Sequence, residues 1–510
     1  MKNLYILKEM VFNEIDLLHH LMKGKDNKPI YKLYNILLSN EELNDRQVMF
    51  IIYGKNNPTA FAGLKSRMRN ILFNLLIYSN LNQENSKNRL YQVNECMKYS
   101  FIFILMKDKN NFELLIKYLE KAILKSIKCE AIESIIIQSR ILIWYYSVRN
   151  ESRNKYKKYV ALLNEYILIL NLEIKSIIYI SEFQKYQISS AAKISNYILL
   201  KSLKYYKELE NSSIKQTMTI TYSKYLLQAF YYEHSKKYEQ LLKISLDMVA
   251  EFNKRTLFID NRLNVTMLRQ LYAYIQLGRF NEAVLTGNKI HKRIKDGSFE
   301  WFITGYYILK AIIYKGDYRK AVGLLGELLT HTKYNSLPAY MKEIYSNVLG
   351  YTLVILQSKG FIELNILQSN LPEFRMAKFL NTVPVYSKDK RGINISILLL
   401  HAAYLIQKKK FSDAIDRIES LNRYAGRYLR KDDTFRSNCM IKMLVQMAKA
   451  DFHPIKTERY TANLRKQLDL VPVTGSGGNI EVEIIPFEVL WDILMKAIQP
   501  VATPRRRSRA

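Results

Sequence analysis

"YIQLGRFNEAV" (Tyr274–Val284) and "IIYKGDYRKAV" (Ile312–Val322) decide the fold. Each sets a glycine, an aromatic residue two positions on, and an alanine three further: Gly278, Phe280 and Ala283, then Gly316, Tyr318 and Ala321. The glycine permits a tight turn at the end of one helix. The aromatic plugs between that helix and the next, and the alanine is small where the two cross closely. "KKKFSDAI" repeats the pattern at Phe411 and Ala414, with Ala402 on the helix before it. Looser copies are "KKYEQLL" (Tyr238, Leu241) and "KGFIELN" (Phe361, Leu364), with leucine for alanine. At the alanine position the intervals run 42, 38, 43 and 50 residues.

A single helical hairpin cannot bury both of its faces, so repeated hairpins must stack on their neighbours. The pattern resembles the tetratricopeptide repeat, and "KGDYRKA" (Lys315–Ala321) is its closest match here. Two departures stand out. Leu271 and Leu309 occupy places where the family has a small residue, and every interval exceeds the family's repeat of about 34 residues. The resemblance covers residues 222–421. It implies an all-α fold, an α-α superhelix whose surface holds a partner protein or peptide.

The rest of the chain is punctuated like helical protein. From Leu64 to Leu277 there is neither glycine nor proline, which tight β-hairpins would demand. Phe112, Leu115, Ile116, Leu119, Ile123 and Ile127 recur at three- and four-residue spacing along one stripe. Further helices are expected at Ser134–Val148, Lys155–Glu173, Ile188–Leu209, Tyr222–Tyr232 and Tyr238–Phe252. The organisation read from this is an N-terminal helical unit (1–80), a solenoid (81–470), a C-terminal cap (471–499) and a disordered basic tail (500–510).

Within the first unit, "IYKLYNILLSN", "DRQVMFIIYG" and "NNPTAFAGLKSRMRNILFNLLIYS" read as three helices, the third opened by Pro58. They could form a helix-turn-helix. Lys65, Arg67 and Arg69 on the third would then meet phosphates and base edges. On the bland reading they line a solvated face opposite Leu64, Met68, Ile71, Leu72 and Leu75. Such a unit followed by repeats is similar, in layout only, to peptide-sensing bacterial transcription regulators.

At the other end, the alternation Ile480, Val482, Ile484 suggests a short strand or extended segment before a helix at Pro486. Gly475–Gly478 is a glycine-rich loop without the lysine and hydroxyl of a P-loop. Arg505, Arg506, Arg507 and Arg509 form a basic cluster open to nucleic acid.

The chain has 78 basic and 46 acidic residues, a net charge of +32. That suggests an acidic protein or nucleic acid as partner. Codon bias is the competing explanation, since Lys, Ile, Asn and Tyr all abound. The cysteines Cys96, Cys129 and Cys439 fit neither a disulfide framework nor a zinc pattern and read as small buried hydrophobes. Tyrosine pairs such as Tyr145–Tyr146, Tyr205–Tyr206, Tyr231–Tyr232 and Tyr306–Tyr307 fit either helix packing or stacking platforms for bases. No histidine pairs with another at metal-ligand spacing, His19 and His20 being adjacent on a helix. No catalytic or cofactor motif is found. The lack of a signal peptide or a long apolar run predicts a cytoplasmic protein with no membrane insertion. The expected function is a non-enzymatic scaffold without cofactor. A nucleic-acid-binding regulator and an enzyme lacking a signature are the alternatives.

Overall fold

A computed structural model of the chain describes residues 1–10, 28–39, 43–79, 89–106, 112–149, 152–188, 195–255, 260–359, 371–382, 393–429, 435–472 and 482–500. Phe361, Leu364, His19, His20, Ile480, the loop Gly475–Gly478 and the tail residues Arg505, Arg506, Arg507 and Arg509 lie outside these ranges. Among the described residues the regular elements are all helical. The chain divides into two compact units, one of Met1–Leu170 and one of Asn171–Arg255 with Asp260–Ala510.

The first unit opens with α1 (Lys2–Met10), α2 (Pro29–Leu38), α3 (Asp45–Tyr53) and α4 (Pro58–Ser79). Leu4, Leu33, Tyr34, Val48, Leu64, Met68 and Leu72 close its core. Asn44 starts α3 through a reciprocal capping box with Gln47, which satisfies backbone donors at both positions. There follow α5 (Arg89–Met106), α6 (Phe112–Cys129), α7 (Ile132–Arg149) and the start of α8 (Arg153–Ile188). Helices α5, α6 and α7 pack on one another.

The second unit holds the end of α8, then α9 (Asn196–Glu210), α10 (Met218–His234), α11 (Tyr238–Lys254), α12 (Asp260–Gln276), α13 (Phe280–Arg293), α14 (Phe299–Lys315), α15 (Tyr318–Thr330), α16 (Ala339–Lys359), α17 (Met376–Thr382), α18 (Ile393–Gln407), α19 (Phe411–Tyr428), α20 (Phe435–Lys449), α21 (Pro454–Leu470) and α22 (Phe487–Ile498). From α9 to α16 each helix packs mainly on the next in sequence, and α12 also meets α14. Stacked hairpins are built this way.

The turns within the hairpins share one geometry. After α14, Gly316 takes a left-handed φ of 81°. Asp317 N–H then donates to Ile312 O at 3.2 Å, and Gly316 N–H to Ile313 O at 2.9 Å. This is a Schellman closure, which satisfies carbonyls the helix end leaves over. Gly278 does the same after α12, where Arg279 N–H reaches Tyr274 O at 2.9 Å. Four further turns match it without glycine; the one at Asp451, where Phe452 N–H reaches Met447 O at 3.1 Å, is followed five positions on by exposed Lys456, and the other three behave alike. Glu130, Lys236 and Lys409 have φ of 54°, 56° and 56°, and Ala131, Lys237 and Lys410 donate to Ser126, Tyr232 and Leu405. Five positions beyond each of these three and of the two glycines stands a buried contact: Ile135, Leu241, Ala283, Ala321 and Ala414. The repeat thus includes α6–α7, whose Glu130 turn carries no glycine to mark it.

Leu271 meets a small residue across the hairpin. A Cβ at Gly287 on α13 would lie 2.4 Å from Ile308 Cγ1 and 3.4 Å from Leu271 Cδ2.

Of the short strand or extended segment expected before α22, the strand does not form. Val482, Glu483, Ile484 and Ile485 are buried in succession, not alternately, and form no strand. The cause is a charged clasp. Buried Arg436 on α20 grips Glu483 at 2.8 and 2.9 Å and Glu488 at 2.8 and 2.9 Å, and donates to Leu468 O and Val471 O. Phe487 N–H donates back to Glu483, starting α22, and Tyr314 O–H donates to Glu483 O at 2.6 Å. Turning Glu483 inward breaks the alternation.

Candidate functional site

Of the three basic residues singled out on α4, one is committed elsewhere. Lys65 pairs with Asp45 and lies 4.9 Å from the centre of the Phe61 ring. The Lys65 ammonium, with the Met1 amino group, holds the Asp45 carboxyl below its ordinary range. Arg67 and Arg69 are exposed beside Ser66 and Asn70, while Leu64, Met68, Leu72 and Leu75 are buried behind them.

Helix α8 carries a feature the sequence reading passed over. Its buried contacts include Tyr159, Tyr166, Ile169, Leu172 and Ser176. A second apolar row follows at Tyr156, Val160, Leu163, Ile167, Leu170, Ile174 and Ile177. The steps alternate four and three, the heptad seam of a helix meant to meet another helix. In this row Ile167 is 40% exposed, Ile174 47% and Ile177 52%. Ile178 beside them is exposed as well. Contiguous apolar surface of this kind marks an interaction site in soluble proteins. Lys157 and Lys158 stand exposed at its N-terminal end. The signal was present in the sequence, since α8 holds more apolar residues than one stripe needs.

The second unit contains a cavity of about 290 Å³ between α8, α10 and α12. Ile180, Phe183, Leu226 and Phe230 supply apolar wall, and Arg262 and Arg269 supply charge. Arg262 lies over the Tyr222 ring at 5.1 Å. Arg269 Nε is 3.6 Å from a Glu233 carboxylate oxygen, beyond hydrogen-bond reach. Its Nε and Nη1 are buried and have no hydrogen-bond acceptor among the described residues. A buried donor left without acceptor costs about 1–3 kcal/mol, more when charged. Burial also raises the Tyr222 hydroxyl above its ordinary range, keeping it neutral.

Folding brings two of the cysteines together. Cys96 on α5 and Cys129 ending α6 are buried in one small cluster with Ala131. The hydrogen bond from Cys129 draws the Cys96 thiol down to about 7. Around them Gln138 donates to Ser100 at 2.9 Å and accepts from Ser126 at 3.0 Å. Cys439 is buried alone on α20. The tyrosine pairs serve packing in the places described: Tyr145 and Tyr146 are buried, and Tyr146 O–H donates to Glu120 at 2.9 Å. Tyr205 stacks on Tyr179 at 3.7 Å and donates to Glu182.

The packing residues read from the sequence lie where hairpins meet. Ala283, Ala321 and Ala414 are buried, Phe280 packs against Tyr314 at 5.6 Å, and Phe411 stacks on Phe452 at 4.5 Å. Tyr318 is half-buried against the main core. Among the described residues no group of three or more His, Cys, Asp or Glu side chains is placed to hold a metal ion, and no helix is long and apolar enough to cross a membrane. Comparison with protein-family models, with curated proteins and with solved structures gives no match.

Proposed function

We propose that the chain is a non-enzymatic scaffold, a tetratricopeptide-like superhelix that holds a partner protein or peptide. The observation that carries this reading is the α8 seam, whose Ile167, Ile174 and Ile177 meet solvent at heptad spacing. A partner helix laid along it would remove those side chains from water, at about 25 cal/mol per Å² of apolar surface. Exposed Lys157 and Lys158, with the net charge of +32, favour a partner whose flanking residues are acidic.

The test places a photo-crosslinking amino acid at Ile167, with Glu165 on the other face as control, in the native cell. Crosslinks should form at 167 and not at 165. The double variant Ile167→Asp with Ile174→Asp should lose the same partner while melting within a degree or two of the parent. Retention of the partner by that variant would remove the seam from the function. Light scattering of both proteins tells whether the occupant is a second copy.

Exposed Arg67 and Arg69, which flank buried Met68 on α4, favour a second reading as a nucleic-acid-binding regulator. Duplex binding through them would weaken steeply with salt. It should fall further in Arg67→Glu with Arg69→Glu. A salt-independent interaction would exclude it.

A further inference from the structure

We infer that the cavity between α8, α10 and α12 binds a small organic acid, a carboxylate on an apolar stem. The walls and the charge point to the same ligand. Ile180, Phe183, Leu226 and Phe230 offer hydrocarbon and aromatic surface that favours an apolar body. Arg269 lines the same space and turns two guanidinium donors, Nε and Nη1, toward no acceptor among the described residues. Its nearest carboxylate, that of Glu233, stays at 3.6 Å from Nε. A guanidinium's planar fork suits a carboxylate, which can accept two parallel hydrogen bonds from it. Arg262 stands at the wall beside it, so both charged side chains that line the cavity are cationic.

Size narrows the choice further. About 290 Å³ sits at the low end of ligand pockets, enough for an acid of roughly ten to fifteen heavy atoms and too little for a nucleotide. A neutral alcohol of the same length would keep the apolar contacts but offer Arg269 one uncharged acceptor in place of two charged ones. A cationic amphiphile would meet like charge. Selectivity for the acid over its alcohol is therefore the signature of this site, and apolar binding alone would not produce it.

The experiment uses the full chain and calorimetric titration with decanoate, decanol and decyltrimethylammonium. A second arm uses N-acetylphenylalanine as the free acid and as the amide, to tell a fatty acid from a peptide C-terminus. The inference expects decanoate to bind at least tenfold more tightly than decanol, and decyltrimethylammonium not to bind. In Arg269→Leu that preference should vanish while decanol binding persists. In Val265→Trp, which fills the space from a half-buried lining position, both should be lost. Should Arg269→Leu fail to fold, Arg262→Gln and Val265→Trp carry the test, with a fall in the acid-to-alcohol ratio expected in the first. Equal binding of acid and alcohol, or decanoate binding untouched by Val265→Trp, would overturn the inference. Binding of N-acetylphenylalanine in place of decanoate, and not of its amide, would assign the carboxylate to a peptide end. These readouts do not use the α8 seam, so partner capture and acid binding can fail separately.

Discussion

Left-handed backbone is the residue-scale device that closes the hairpins, and the side chains there are not equally suited to it. Gly316 takes a φ of 81° with open space around the missing Cβ, so a side chain would meet strain from the backbone alone. Gly316→Ala should lose about 1 kcal/mol. Lys409 and Lys236 hold the same conformation with a Cβ in place. Lys409→Gly should gain up to about 1 kcal/mol, offset in part by the greater freedom of glycine in the unfolded chain. Urea titration of the three proteins reads both signs, and a loss in both variants would refute the account. His401 adds a dependence on acidity. Burial, with Arg417 nearby and Asp413 opposing, lowers its pKa to about 4. The unfolded chain takes up that proton near 6.5. Between those values the unfolded state binds more protons, so stability falls as pH falls from 6.5 toward 4. His401→Leu should flatten the decline of Tm over that window. An unchanged slope would mean that the imidazole is hydrated in both states.

At the scale of the element, the hairpins with glycine were legible and their relatives were not. Gly278 and Gly316 announce themselves because glycine is the residue a left-handed turn prefers. Lys236 stood in a loose copy that could be read only from Tyr238 and Leu241. Glu130 left no mark at all, because five residues on the chain has Ile135 where others have Ala or Leu. What repeats is a backbone closure, and several side chains tolerate it at modest expense. Helix α8 is the opposite case. A helix was expected there over Lys155–Glu173, but its second apolar row was not singled out. Of the strand or extended segment expected near Val482, the strand is absent for a tertiary reason, since alternation of Val482 and Ile484 says nothing of Arg436, 47 residues away, drawing Glu483 inward. Arg269 could not be read as lining a cavity, since its apolar neighbours come from three helices.

At the scale of the molecule, the Arg436 clasp is where distant parts of the second unit are tied. The Arg436 and Glu483 side chains are 2% and 1% exposed, so removing one partner strands the other without solvent. Arg436→Met should lose about 3–5 kcal/mol, whereas replacing the pair together, as Arg436→Met with Glu483→Leu, should recover much of it. Denaturant midpoints measure both, and equal losses in single and double variants would show that the pair is not coupled. The same clasp bears on the order in which the protein assembles. Most packing in the second unit joins neighbours in sequence, which closes quickly because little chain must be looped. The contacts of Tyr314 with Glu483 and of Lys496 with Ser358 instead span 169 and 138 residues. During synthesis the hairpins can therefore form as they emerge, while Arg436, made first, waits with its charge uncovered until Glu483 and Glu488 are translated. For that interval the nascent chain carries a guanidinium bound for burial without the two carboxylates that later clasp it, and the segment from Glu483 to Glu488 seals it when it emerges.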